Sequence, residues 1–175
     1  MKTTQVQTLF WSQLTDQDWN LYICATEKGL AYVGSPAWPF ADLEAWAGRR
    51  FPGSPLVRDE GRLKPYAAEL TEYFHGRRQH FTVPFDLQGT PFQLAVWEAL
   101  CAIPFGQTRS YSDIAQQIRK PSAVRAVGAA IGANPLLVTV PCHRVLGKNG
   151  ALTGYRGGLE MKTRLLALEK QTFYK

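Results

Sequence analysis

The hydrophobic pattern of this chain changes period once, at Gly89-Thr90-Pro91. Before that point apolar residues fall in short aromatic and β-branched runs; after it they recur at helical spacing. Such a chain folds around two cores rather than one, and 175 residues suffice for both. The expected fold class is an α/β domain over residues 1–88, followed by a mostly α domain with a helix-turn-helix over residues 89–175.

In the first half, residues 6–9 and 21–33 read as strands, the second broken by a hairpin at Glu27-Lys28-Gly29. Residues 41–46 read as a helix after the Ser35-Pro36 turn. Tyr66, Leu70, Tyr73 and Phe74 place another helix over 66–74, with Gly76 as its stop. Residues 84–89 read as an extended connection. No site stands out here: Cys24 belongs in a strand, and His75 and His80 flank a loop.

In the second half, Thr90 caps a helix whose first residue is Pro91, and Ser110 with Asp113 opens another. Pro121 restarts the chain into a third helix over 122–133, which Asn134-Pro135 ends. The last two, joined by Arg119-Lys120-Pro121, form a helix-turn-helix candidate. Val124, Val127 and Ile131 share one face of the third helix, and Arg125, Gly128, Ala129, Gly132 and Ala133 the other. Two glycines in a helix cost about 1 kcal/mol each relative to alanine. Either a neighbouring helix or a narrow DNA groove requires them. Residues 136–140 read as an apolar strand leading to Pro141-Cys142-His143-Arg144-Val145. Asn149-Gly150 then turns the chain back, Gly154-Tyr155-Arg156-Gly157-Gly158 forms a loop, and 159–169 a final helix.

The net charge of +6 is unevenly spread. Residues 1–89 carry 9 Lys/Arg and 10 Asp/Glu, hence −1; residues 90–175 carry 11 and 4, hence +7. A basic half beside a neutral one marks either a polyanion-binding surface or a solvated basic face. The three cysteines, Cys24, Cys101 and Cys142, are odd in number and widely spaced, and only His75, His80 and His143 could join them. Neither a disulfide framework nor a metal site is expected. Met1-Lys2-Thr3-Thr4-Gln5 is too polar for a signal peptide, and no run reaches the roughly 20 apolar residues of a membrane span. A cytoplasmic protein with no membrane partner is expected.

A cysteine ending an apolar strand is, taken alone, a small core residue. His143 beside it makes a nucleophile conceivable, as base or as thiolate partner. Neighbours in extended chain point to opposite sides, so a bridging water or a sharp bend would have to join Cys142 to His143. A carboxylate such as Glu169 would orient the imidazole. Arg144 adds positive potential or is a solvated surface residue.

The motifs Gly89-Thr90-Pro91-Phe92-Gln93, Ile103-Pro104-x-Gly106-x-Thr108-x-Ser110-Tyr111, Arg125-Ala126-Val127-Gly128, Asn134-Pro135, Val140-Pro141-Cys142-His143-Arg144-Val145 and Gly154-Tyr155-x-Gly157-Gly158-Leu159 occur in this order. Together they resemble the methylated-DNA–protein-cysteine methyltransferases, the O(6)-alkylguanine-DNA alkyltransferases. The resemblance covers residues 89–169. Over residues 1–88 it is looser, but order and length agree with the family's ribonuclease-H-like domain. It implies a winged-helix-like second domain and single-turnover, irreversible repair. An alkyl group passes from O(6)-alkylguanine, or O(4)-alkylthymine, in DNA to Cys142.

By the same resemblance, His143 activates Cys142 through a water, Glu169 holds His143, and Asn134 braces the turn carrying the cysteine. Tyr111 donates a proton to the leaving purine. Arg125 fills the gap left by the flipped nucleotide, on a helix whose Ala126, Gly128 and Ala129 meet DNA. Val145, Tyr155 and Arg156 belong to the base pocket. The implied partner is double-stranded DNA carrying alkylated guanine, met in its minor groove by a protein monomeric in solution and able to gather cooperatively on DNA. No cofactor is implied. Some relatives carry a further N-terminal regulatory domain with zinc-binding cysteines, absent here, so no transcriptional role is expected. Others have tryptophan at the acceptor position and only bind damage. Against this reading stand a DNA-binding module without chemistry and a Cys-His-Glu hydrolase; the latter explains neither the Gly/Ala face nor the basic half.

Overall fold

The computed structural model describes residues 6–173, so the polar opening Met1–Gln5, on which the absence of a signal peptide was read, lies outside them. Two compact units part between Leu87 and Gln88, one residue before the break the sequence suggests.

The first unit is a four-stranded sheet with two helices. Strands β1 (Leu9–Asp16), β2 (Trp19–Ala25), β3 (Leu30–Val33) and β4 (Leu56–Arg58) lie in the order β3-β2-β1-β4. β1 runs antiparallel to β2 and parallel to β4. The hairpin expected at Glu27-Lys28-Gly29 joins β2 to β3, but β1 occupies 9–16 rather than 6–9. Its Ser12, Gln13 and Thr15 hide a strand in which Leu9, Ser12 and Leu14 are buried, and β4 is too short to announce itself. Helix α1 (Phe40–Arg50) lays Leu43, Trp46 and Ala47 on a core that includes Leu9, Cys24, Tyr32 and Phe51. Burial pushes the Cys24 thiol up to about 12, as suits a core residue.

Helix α2 (Glu60–Phe74) begins six residues before the expected 66, because the Asp59 side chain caps it by accepting from the Arg62 amide. Pro65 is carried inside the helix while Leu63, Leu70, Tyr73 and Phe74 bury its apolar face. Gly76, at φ 72°, turns the chain away at the expected place. Residues 84–86 are extended and dock on β3: the Leu30 amide donates to the Pro84 carbonyl at 2.9 Å, and the Asp86 amide to that of Leu30 at 2.8 Å.

The second unit is mostly helical. Helix α3 (Pro91–Cys101) starts with a full capping box between Thr90 and Gln93, and α4 (Tyr111–Gln117) with one between Ser110 and Asp113. Helix α5 (Val124–Gly132) follows a turn in which Arg119 adopts φ 61°. The indole N–H of Trp97 on α3 donates to the Ala130 carbonyl of α5 at 2.9 Å, fixing one helix on the other inside a core of Val96, Leu100, Ile114, Val127 and Ile131. Two short parallel strands, β5 (Arg109–Ser110) and β6 (Val145–Leu146), pair residues far apart in sequence, and α6 (Leu159–Phe173) ends the unit.

The expected strand over 136–140 does not form. These residues make successive turns, and Cys142–Arg144 is one turn of 3₁₀ helix rather than extended chain. An apolar run alone cannot distinguish these outcomes. Here the side chain of Asn134 decides. It donates to the carbonyls of Leu136 and Val140 at 3.2 and 3.1 Å and accepts from the Leu136 amide at 2.9 Å, engaging groups a strand would offer a neighbour. Val138, a β-branched residue, sits at φ 69°, a left-handed conformation that costs of order 1–3 kcal/mol.

Candidate active site

The 3₁₀ turn presents Cys142, His143 and Arg144 in different directions from one rigid segment, all nearly excluded from solvent. The Cys142 thiol is 1% exposed and accepts a hydrogen bond from the Asn134 amide nitrogen at 3.3 Å. Burial pushes this thiol up to about 11, against the Asn134 hydrogen bond and the charges of Lys162 and Arg156. The resting group is therefore a thiol, not the stabilised thiolate that a neighbouring histidine suggests.

The His143 ring reaches Glu169, its Nε2 2.8 Å from Oε1. Arg144 joins the same carboxylate: Nε is 3.0 Å from both oxygens and Nη2 2.7 Å from Oε1, while Nη1 donates to the Ile103 carbonyl at 2.7 Å. Arg144 is thus an internal counterion, and the solvated surface reading is overturned. Burial alone would raise the Glu169 carboxyl; the hydrogen bonds and charges of His143 and Arg144 together outweigh it and bring it down to about 2. Burial lowers His143, despite the carboxylate beside it. At neutral pH Glu169 is ionised, Arg144 compensates it and His143 is neutral. An ionised acceptor at Nε2 puts the ring proton there and leaves the lone pair on Nδ1. Nδ1 is buried and has no hydrogen-bond partner among the described residues.

One buried side chain was not anticipated. Lys162 is 1% exposed and donates from Nζ to the carbonyls of Val145 at 2.7 Å and Thr153 at 3.1 Å. Burial lowers its pKa, against the Cys142 sulfur, which raises it. Its signal was available: Lys162, Leu165 and Glu169 stand at i, i+3 and i+7, so two charged residues share the apolar stripe of α6.

A cavity of about 410 Å³ reaches the thiol. Its lining draws Tyr111 from α4, Gly128 and Gly132 from α5, Cys142, and Thr153 to Arg156 from the loop before α6. Tyr155 and Arg156 line the same cavity as Cys142, and Arg156 also donates to the Asn134 carbonyl at 2.9 Å. Val145 does not line it: its side chain is fully buried, and it contributes a carbonyl to Lys162. Arg125, Ala126 and Ala129 are exposed along α5. A Cβ on Gly132 would meet nothing within 4 Å, and one on Gly128 only the Tyr111 ring at 3.9 Å. Among the described residues no neighbour therefore requires these glycines, which disfavours the helix-packing alternative.

The profile of the 6-O-methylguanine DNA methyltransferase ribonuclease-like domain matches residues 9–87, and that of the DNA binding domain of the same proteins matches residues 91–171. The inducible methylated-DNA–protein-cysteine methyltransferase of Bacillus subtilis is 65% identical over 168 residues, 96% of this chain and 94% of that protein. This chain belongs to the methylated-DNA–protein-cysteine methyltransferase family. Solved structures agree: O6-methylguanine methyltransferase from Mycobacterium tuberculosis superposes with a TM-score of 0.81 at 37% identity, covering 94% of each chain. The same enzyme in complex with DNA also gives 0.81, at 38% identity over 93% of this chain and 94% of that one. As a methyltransferase of this family, the chain has a ribonuclease-like α/β domain followed by a DNA-binding domain. Its methyltransferase relatives share the domain that holds Cys142, His143 and Glu169.

Proposed function

We propose that this chain repairs DNA by transferring an alkyl group from the O(6) atom of guanine to the sulfur of Cys142. One observation carries the assignment: the cavity that ends on a buried thiol is walled by the exposed, side-chain-poor helix α5. At about 410 Å³ it falls within the range of small-molecule sites, roughly 300–1,000 Å³. A base reaches such a thiol only by leaving the duplex, at a cost of a few kcal/mol. Arg125, at the outer face of α5, fills the place it vacates. The bare Gly/Ala face of α5 suits approach through the minor groove.

The reaction is an in-line displacement. Cys142 gives up its proton to Nδ1 of His143 by way of a bridging water, and its sulfur forms a bond to the alkyl carbon as the carbon–O(6) bond breaks. Glu169, itself gripped by Arg144, holds the ring so that Nδ1 is the basic atom, and its carboxylate favours the charge the ring gains. Tyr111 donates a proton to the departing purine and is reprotonated from His143 through solvent. The balance is thiol plus alkylguanine giving thioether plus guanine. The same displacement applies to O(4)-alkylthymine, whose alkyl carbon is bonded to an oxygen of the same kind. A thioether offers no leaving group, so each molecule acts once. All participating residues come from one chain, in keeping with a monomer, and three free cysteines suit the reducing cytoplasm.

The test is stoichiometry. With excess methylated duplex, methyl groups transferred per protein should level at one, and Cys142→Ala should transfer none. Continued turnover would instead favour a hydrolase-like catalyst, and binding without transfer a damage-recognition module.

A further inference from the structure

Thr153 is held at three points. Its Oγ1 lies 3.1 Å from the Tyr111 hydroxyl, its carbonyl accepts from Lys162 Nζ at 3.1 Å, and its methyl fills the space beside Gly147, where an added Cβ would come within 2.8 Å of it. The first contact joins α4 to the loop before α6, across a cavity both residues line. An exposed threonine fixed by its backbone, its methyl and its hydroxyl has little freedom to aim that hydroxyl elsewhere.

We propose that Thr153 is a positioning residue for Tyr111, an inference that rests on the role of Tyr111 as proton donor. A threonine hydroxyl offers one proton and accepts two. In the free protein it fixes the direction of the phenol. When Tyr111 passes its proton to the purine, the Thr153 hydroxyl donates to the phenolate oxygen left behind, and the proton lost by Tyr111 is restored from His143 through solvent. The Lys162 ammonium, which also grips Val145, ties the backbone of Thr153 to the segment carrying Cys142. Both ends of the displacement are thus referred to one buried cation.

The experiment measures single-turnover methyl transfer from duplex DNA by Thr153→Val, Thr153→Ser, Tyr111→Phe and the Thr153→Val/Tyr111→Phe pair, with affinity for unmodified duplex as control. Loss of one hydrogen bond predicts that Thr153→Val is slower by roughly 3- to 10-fold at unchanged affinity. Thr153→Ser should recover to within about twofold, since it keeps the hydroxyl. In the Tyr111→Phe background Thr153→Val should cause no further loss. A wild-type rate for Thr153→Val, or an equal loss in both backgrounds, overturns the inference while leaving Tyr111 its role. A wild-type rate for Tyr111→Phe removes the proton-donor reading itself and the positioning role with it.

Discussion

Removing the charge of Glu169 would strand the Arg144 guanidinium inside the protein and free the His143 ring from the group that fixes its proton on Nε2. Breaking one side of a buried pair costs about 3–5 kcal/mol, so Glu169→Gln should lose stability of that order in urea unfolding. Three of the shifted groups, Glu169, His143 and Cys142, belong to the site and bear on its pH dependence. Glu169 is lowered to about 2 from 4.5 and His143 lowered from 6.5, so each contributes stability above its ordinary pKa that is lost as pH falls. Cys142 is raised from 9.0 to about 11, so its contribution is present below 9.0 and lost as pH rises toward 11. Melting temperature should therefore fall as pH drops below about 6.5, through His143 and then Glu169; a maximum at pH 5 would contradict this. The pairing of His143 with Glu169 was available from the ordered motifs. The inward turn of Arg144 was not, because a cation beside a reactive residue reads equally well as surface. Lys162 escaped because helical spacing was used to find apolar residues rather than charged ones among them.

At the scale of elements, α5 makes the sharpest prediction. A Cβ on Gly128 finds ordinary contact with Tyr111, so Gly128→Ala should gain up to about 1 kcal/mol of stability as a helix substitution. The glycine is then retained for what approaches from outside. Ala129→Leu, on the exposed face and away from the cavity lining, should slow repair of duplex DNA while leaving reaction with free alkylated base unchanged. Arg125→Ala should show the same separation; equal losses on both substrates would deny Arg125 its part in extrusion. Helices α3 and α4 could be read from their caps, and α5 from its spacing, because those signals are local, although α5 spans Val124–Gly132 rather than 122–133. The segment 136–140 could not, since its turns are dictated by the amide of Asn134, and β1 was displaced because polar residues interrupt its alternation.

Over the whole molecule, charge and patterning divide the chain at nearly the same place. The excess of seven positive charges after residue 89 lies in the unit that carries α5 and Cys142. Affinity for unmodified duplex should therefore fall steeply with salt, by counterion release, while transfer from free alkylated base stays nearly constant. Binding insensitive to salt would argue against a phosphate-based footprint. The division into two units was evident from the change in hydrophobic period. The cavity was not, because its lining comes from α4, α5, the 3₁₀ turn and the final loop, brought together only by folding. The most direct measurement is peptide mass mapping after reaction with O(6)-methylguanine in duplex DNA. The account predicts one added methyl group, on the peptide containing Cys142 and on no other. An adduct on Cys24 or Cys101, or none while the DNA is bound, would contradict it.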